Sequence, residues 1–141
     1  MRALLATALL VLAGCPRGEP AGGAAHHTPG TTPDAAARAA FEDLAAACVA
    51  ADHPAALGYL ADQGLGGEPR YGRAMRADDP MADEIVRDVC AALPPSLTVL
   101  ATLATQSDGH AWVTVTVQAD DASVAYRFVD VGGAWLLAAV D

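Results

Sequence analysis

The sequence contains no lysine, and it has few cationic side chains of any kind. Eight arginines stand against seventeen acidic residues, for a formal net charge of −9 at pH 7. We attribute the abundance of alanine and the use of arginine alone to a coding bias and not to chemistry. An acidic surface repels phosphate backbones and anionic lipid headgroups. The composition therefore argues against nucleic acid as a partner, and any membrane attachment has to come from an apolar group.

Long apolar runs are also missing. The run Ala3–Ala13 is about half of the roughly 20 residues that a helix needs to cross a bilayer. It follows a single early cation, Arg2, and ends in small residues before Cys15. A charged start, a short apolar middle and a small-residue cleavage site are typical of a secretory signal. We therefore expect residues 1–14 to be an export signal and not a transmembrane segment.

The four residues Leu12-Ala13-Gly14-Cys15 resemble the lipobox of bacterial lipoproteins and match its pattern at every position. The resemblance implies cleavage before Cys15, a diacylglyceryl thioether on its thiol and an acyl chain, such as palmitate, on its new amine. Two or three buried acyl chains, at about 0.8 kcal/mol per methylene, anchor a protein stably. Pro16 is not the Asp that favours retention in the inner membrane. In a host with two membranes, the resemblance implies the outer membrane, facing the periplasm; a secreted protein with a chance cysteine is the alternative.

Cysteine is scarce, with three in the chain. If Cys15 carries the lipid, Cys48 and Cys90 remain as an even pair in an oxidising compartment. Each lies on the apolar side of a predicted helix. We expect a disulfide between them, which closes a loop of about 40 residues and contributes roughly 4 kcal/mol in the chain-entropy account. Two buried free thiols are the alternative.

Residues 15–33 have no hydrophobic period, which predicts the lipidated Cys15 followed by a disordered linker. We expect no metal at the pair His26-His27, because no third ligand is near it in the sequence. Residues 34–141 are long enough for one domain with a single core.

Three helices are predicted in the first half of this domain. Thr32-Pro33-Asp34 and Asp52-His53-Pro54 start the first two, the second ending at Gly64, and Asp79-Pro80 starts the third. Their apolar residues recur at three- and four-residue steps: Ala37, Ala40, Phe41, Leu44, Cys48 and Ala51 in the first, and Met81, Ile85, Val89 and Leu93 in the third.

The stretch between the second and third helices carries Arg70, Arg73 and Arg76 among glycines, which predicts a loop. Arginines at this spacing could clamp an acidic ligand. The alternative is a solvated face whose positive charge balances the many acidic residues nearby.

From Leu97 the hydrophobic period changes to two. Four such segments are separated by the turn signals Ser107-Asp108-Gly109, Asp120-Asp121 and Gly132-Gly133. Strands joined by short turns form an antiparallel meander. Helices first and strands after predict an α+β fold, with the N-terminal helices packed on a curved four-stranded antiparallel sheet.

The break at Asp52-His53-Pro54 and the closing Gly132-Gly133-Ala134-Trp135 hairpin resemble the nuclear transport factor 2-like, or SnoaL-like, family. The resemblance covers most of residues 35–141 and implies a cone-like fold with a pocket between helices and sheet. Familiar members place a strand between the second and third helices, where this chain has its arginine-rich loop. A cystatin-like sheet wrapped on one helix is the alternative.

Catalytic motifs are another absence. No Ser-His-Asp arrangement, zinc-ligand spacing, phosphate-binding glycine loop or calcium loop stands out, so we expect neither a metal nor a cofactor. Enzymes of the resembled family use carboxylates and tyrosines in the pocket, for which the nearest candidates are Tyr59, Tyr126, Asp130 and His110. Asp130 shares the parity of Tyr126, so it either faces the apolar side, where burial would raise its pKa and suit a general base, or is solvated beside the turn.

Trp112 lies opposite in parity to the valines of its strand. It is therefore either an exposed contact for a ligand or partner, or a residue covered by a neighbouring loop.

We expect a membrane-anchored envelope lipoprotein whose domain is a non-catalytic module. It would bind a small apolar ligand or an envelope protein, or serve a structural role. An isomerase- or dehydratase-like enzyme is the alternative. The pocket lining discriminates between them, because converging ionisable groups favour an enzyme and an apolar lining favours binding or structure.

Overall fold

The structure, a computed structural model, describes residues 30–62 and 72–141. The predicted α+β class with a four-stranded antiparallel sheet is confirmed. The predicted signal peptide, the lipidation site Cys15 and the linker up to residue 29 lie outside the described residues. The elements are α1 (Pro33–Val49), α2 (His53–Leu57), α3 (Ala82–Ala92), β1 (Thr98–Ser107), β2 (His110–Ala119), β3 (Ala122–Val131) and β4 (Ala134–Val140).

The first two helices start where the sequence signals place them. The N–H of Ala35 donates to Thr32 Oγ1 at 3.3 Å, and the N–H of Ala55 donates to Asp52 Oδ1 at 3.1 Å. Each cap satisfies one of the amide groups that a helix leaves unpaired at its N-terminus. The predicted end of the second helix at Gly64 is wrong, because α2 already ends at Leu57.

The third helix begins at Ala82 and not, as predicted, at Asp79. The Asp79 carboxylate is held elsewhere, since it accepts the Arg76 N–H at 2.7 Å and two N–H groups of the Arg73 guanidinium at 2.8 and 2.7 Å. Met81 precedes the helix in the left-handed region, at φ 63°, and no side chain caps it. Met81 was predicted in the buried stripe, but it is 58% exposed because it lies before the helical period begins.

The four strands follow one another in the order β1-β2-β3-β4, each antiparallel to the next. The predicted turns are confirmed. Asp108 and Gly109 have φ of 53° and 77°, and Gly132 and Gly133 have φ of 62° and 90°. Two central residues with positive φ form the type I′ turn whose twist matches that of a hairpin.

One face of the sheet, here called the helix face, packs on α1. Phe41 is fully buried, and its ring centroid lies 4.7 Å from that of Tyr126 and 5.9 Å from that of Phe128. The predicted α1 stripe is buried up to Leu44, whereas Ala51 lies beyond the helix end. The principal buried residues of this core are Ala37, Ala40, Phe41, Leu44, Val86, Val113, Val115, Val117, Tyr126, Phe128, Trp135 and Leu137.

The opposite face of the sheet, here called the far face, carries a second and smaller apolar cluster. Trp112 belongs to it and is only 7% exposed. Alternate residues of a strand point to opposite faces of the sheet. Because the valines of β2 lie on the helix face, Trp112 of the same strand lies on the far face. The buried members of the cluster are Ala61, Trp112, Val129, Leu136 and Ala138.

A bulge in β1 changes which of its side chains share a face. The register against β2 shifts between Val99 and Ala101, so Leu100 is the extra residue. Unbroken alternation predicted Val99 and Leu103 on one face. The bulge instead moves Leu103 to the far face, where it is 63% exposed.

The segment after α2 extends the sheet beyond β4. Leu60 forms a parallel bridge with Leu137, supported by hydrogen bonds from Ala61 N–H to the Leu137 carbonyl at 2.9 Å and from Leu137 N–H to the Tyr59 carbonyl at 2.7 Å. Met75 N–H donates to the Leu60 carbonyl at 2.8 Å, which adds a second short segment outside the first. These contacts cover part of the β4 edge and explain why the chain leaves the helical path after Leu57.

Candidate functional site

The four candidate pocket or contact residues, Tyr59, Trp112, Tyr126 and Asp130, do not all meet in one place. Tyr126 lies in the helix-face core, and Trp112 lies in the far-face cluster. Tyr59 lies at the start of the segment beside β4, and Asp130 lies near the end of β3. Tyr59 packs against the same core as Tyr126, whereas Trp112 lies on the opposite face of the sheet, so the four side chains do not share one concavity.

Tyr126 is a packing residue with an unpaired hydroxyl. Its side chain is 1% exposed, and its Oη has no hydrogen-bond partner. Burial raises the pKa of Tyr126 above its ordinary value, because the phenolate would lose its hydration. At ordinary pH the group keeps its proton, so it is no base.

Tyr59 connects its segment to α1. Its hydroxyl donates to Asp43 Oδ2 at 3.4 Å. Burial, and then the negative charge of Asp43, raise the pKa of the Tyr59 hydroxyl. This hydrogen bond joins the half-buried Tyr59 to the exposed Asp43.

Asp130 serves the β3–β4 turn. Its Oδ1 accepts the N–H of Gly133 at 2.8 Å, and the side chain is half-buried. A carboxylate that caps a turn in this way stabilises the hairpin. The contact gives Asp130 a structural role that the sequence analysis did not foresee.

Trp112 is packed and not an exposed contact, which decides between the two sequence alternatives. Its indole Nε1–H donates to the Ser107 carbonyl at 3.3 Å. The Arg127 guanidinium carbon lies 5.1 Å from the ring centroid, within the range of a cation–π contact.

Arg73 forms ion pairs that stabilise the segment between α2 and α3. Its guanidinium lies 3.2 Å from Asp62 and 2.7 Å from Asp79, which ties the two ends of the segment between α2 and α3. The Arg73 hydrogen bonds, followed by the Arg76 N–H, lower the pKa of Asp79 to about 2. Of the other two arginines considered as a clamp, Arg70 lies outside the described residues. Sequence reasoning missed this network because its members are brought together only by the fold.

The predicted disulfide is confirmed in the structure: Cys48 and Cys90 are bonded, with their Cα atoms 5.1 Å apart. The bond joins the last turn of α1 to the last turn of α3. Within α3 Ala82 and Val86 are buried and Ile85 and Val89 are half-buried against the core, and the disulfide adds a covalent link to α1.

A concave surface with an apolar lining is the groove between α3 and β4, here called the α3–β4 groove. Its volume is about 350 Å³. Ile85 and Val89 of the predicted α3 stripe form one wall and stay half-buried, because the groove in front of them is open. Every lining residue is apolar: Leu60, Ile85, Val89, Leu137, Ala138, Ala139 and Val140.

A second groove of about 380 Å³ lies beside the disulfide. It is also largely apolar, but it includes Glu42 and the exposed Val49. It offers a comparison site for experiments on the α3–β4 groove.

Within residues 30–62 and 72–141, no three His, Cys, Asp or Glu side chains are close enough to hold a metal ion. None of the three described helices is long and apolar enough to span a membrane.

No model of a protein family matches this chain, and comparisons with curated proteins and with solved structures give no match. The resemblances drawn from the sequence therefore stay predictions.

Proposed function

We propose that this chain is a lipid-anchored bacterial envelope protein whose domain binds a small apolar ligand in the α3–β4 groove without covalent chemistry. The observation that carries the proposal is the lining of the groove, in which no ionisable or polar side chain takes part. Ligand pockets commonly measure about 300–1,000 Å³ and are mostly apolar. The groove has the size and the chemistry for a small hydrophobic molecule.

Two wall elements give the groove its shape. β4 supplies a rigid floor, since it pairs with β3 on one side and is bridged to Leu60 on the other. α3 supplies the opposite wall and is tied to α1 by the Cys48–Cys90 disulfide. A ligand seated there would cover apolar surface that is otherwise exposed to water, at about 25 cal/mol per Å².

The envelope location rests on two independent features. Leu12-Ala13-Gly14-Cys15 supplies the lipidation motif. The Cys48–Cys90 disulfide supports an oxidising compartment, because reducing compartments seldom allow structural disulfides.

We also propose the cone-like fold of the nuclear transport factor 2-like family for residues 34–141. The support is the parallel bridge between Leu60 and Leu137. Leu60 lies between α2 and α3 in the chain, at the place where familiar members have a strand. A groove between helix and sheet is then a natural place for a ligand.

The groove is tested with N-phenyl-1-naphthylamine, a neutral apolar probe whose fluorescence rises on burial. Val89→Asp introduces a charge into the α3–β4 groove, and we expect it to weaken probe binding about tenfold or more, because the carboxylate keeps its water. The matched control is Val49→Asp, which makes the same change at a residue that is 88% exposed beside the other groove. Thermal melting of both variants shows that they remain folded.

Unchanged binding in a folded Val89→Asp protein would contradict the site. A loss confined to Val49→Asp would assign the probe to the groove beside the disulfide.

A further inference from the structure

The β1 strand is a sheet edge, and the described residues outside β2 give it no pairing partner. Natural edge strands are guarded by charges, prolines or covering segments. Thr98–Ser107 contains no charged residue and no proline. Among the described residues, no segment other than β2 pairs with it. Two of its leucines are exposed, Leu100 at 52% and Leu103 at 63%.

The hairpin geometry shows which backbone groups of this edge are free. In a two-residue hairpin the residues flanking the turn form a hydrogen-bonded pair, so Ser107 bonds to His110. Hydrogen-bonded and non-hydrogen-bonded pairs alternate along an antiparallel ladder. The register runs without a break back to Ala101. It follows that the N–H and C=O groups of Thr102, Ala104 and Gln106 point away from β2.

The straight part of this edge is symmetrical about Ala104. It is bounded at one end by the bulge at Leu100 and at the other by the turn at Asp108, and Ala104 is the midpoint of Ala101–Ser107. A strand that pairs with itself in the antiparallel sense has one residue on its two-fold axis. A residue on the axis that carries outward backbone groups, as Ala104 does, exchanges both of its hydrogen bonds with its counterpart.

We propose that β1 pairs with β1 of a second copy of this chain, antiparallel and centred on Ala104, to form a continuous sheet across two subunits. Ala104 exchanges both backbone hydrogen bonds with its counterpart. Thr102 of each copy does the same with Gln106 of the other. The small Ala104 side chain lets the strands approach, and the exposed Leu103 lies beside Thr105 of the second copy on the far face.

The charge distribution leaves this edge as a place where an identical partner meets little repulsion. The chain carries a formal charge of −9, so most of its surface repels a second copy. β1 carries no charge and presents Thr, Ala, Leu and Gln side chains in this stretch. Two such edges meet without opposing like charges. The α3–β4 groove lies at the β4 edge of the sheet, so the pairing neither requires nor blocks the proposed function.

The test is native mass spectrometry of the full-length chain released in detergent, at about ten times the concentration needed to half-populate the dimer. Ala104→Lys places two ammonium groups opposite each other across the axis, with Cα atoms about 5.5 Å apart. We expect it to weaken dimerisation about tenfold or more, because like charges directly opposite in a ladder repel. Ala122→Lys is the matched control, since it makes the same change at another exposed alanine, in the β2–β3 hairpin. We expect it to leave the dimer intact.

A second measurement does not depend on how the lysine variant folds. Ala104→Cys should be joined into a dimer by a short bis-maleimide, and Ala122→Cys should not. A chain that is monomeric throughout overturns the proposal, as does a dimer that survives Ala104→Lys in a folded protein. Equal loss in both lysine variants, or crosslinking at Ala122→Cys alone, also overturns it and points to another surface.

Discussion

The hydroxyl of Tyr126 shows what a single buried atom does in this core. The phenol ring packs against Phe41, while its Oη is buried without a hydrogen-bond partner. A hydroxyl taken from water without a replacement bond destabilises the folded state. The ring stabilises the core, and its polar atom opposes that effect.

Tyr126→Phe should therefore raise the free energy of unfolding, by up to about 1 kcal/mol, because it keeps the ring and removes the unsatisfied group. Urea unfolding with both proteins measured side by side gives the difference. A loss of more than about 1 kcal/mol would mean that the hydroxyl has a partner.

The carboxylate of Asp79 makes a pH-dependent contribution to the stability of the folded protein. Its pKa falls from 3.8 to about 2 in the folded protein, through the Arg73 and Arg76 hydrogen bonds. Because the pKa of Asp79 is lower in the folded than in the unfolded protein, its carboxylate stabilises the fold at pH values above 3.8. This stabilisation is lost as the pH falls from about 3.8 towards 2.

We expect Asp79→Asn to lower the melting temperature at pH 7, and the gap to the unmodified protein to close between about pH 4 and pH 2. Asp78→Asn is the control, since it removes the neighbouring charge and leaves the Asp79 hydrogen bonds in place. A gap that is constant over this range would contradict the role of Asp79.

At the scale of elements, the sequence correctly predicted helix caps and turns, which depend on residues close together in the chain. Thr32 and Asp52 cap helices, and Gly132-Gly133 forms a turn, because each of these features needs only neighbours in sequence. The start of α3 was mispredicted because Asp79 is held by Arg73, a partner that local sequence signals do not reveal.

Two further element errors also have long-range causes. The predicted second helix stops early because Leu60 pairs with Leu137, far along the chain. The alternation in β1 breaks at the Leu100 bulge, which only the pairing with β2 reveals.

The candidate site was also predictable only in its local part. The α3 stripe containing Ile85 and Val89 was visible in the sequence, but the opening that makes it a groove depends on where β4 lies. Tyr126 and Asp130 were selected by residue type, and packing and turn formation account for both.

The disulfide links α1 and α3, and its removal tests how α3 is held. Cys48→Ala with Cys90→Ala should lower the free energy of unfolding by about 4 kcal/mol, since the bond closes a long loop in the unfolded chain. Urea unfolding should show the same loss on adding dithiothreitol to the unmodified protein and no effect of dithiothreitol on the variant. Weaker probe binding in the variant is also expected, because α3 forms a wall of the groove.

An unmodified protein that is indifferent to dithiothreitol, with both thiols labelled after denaturation, would contradict the disulfide as a stabilising link.

At the scale of the whole molecule, we propose that the parts serve an anchored binding module. The acidic composition disfavours contact with anionic lipid and nucleic acid, so the proposed attachment depends on the acyl chains predicted on Cys15. The domain contributes a groove at one sheet edge and an open strand at the other. These three features occupy separate places, so each can fail its test without affecting the others.

The central claim, anchoring through Cys15, is tested most directly by mass spectrometry of the N-terminal peptide of the chain isolated from membranes. We expect the peptide to begin at Cys15 and to carry a diacylglyceryl group, with a further acyl chain where the host adds one. Cys15→Ser should give an uncleaved precursor or a soluble protein. A mature chain that begins elsewhere, or an unmodified Cys15 in membrane-bound protein, would contradict the account.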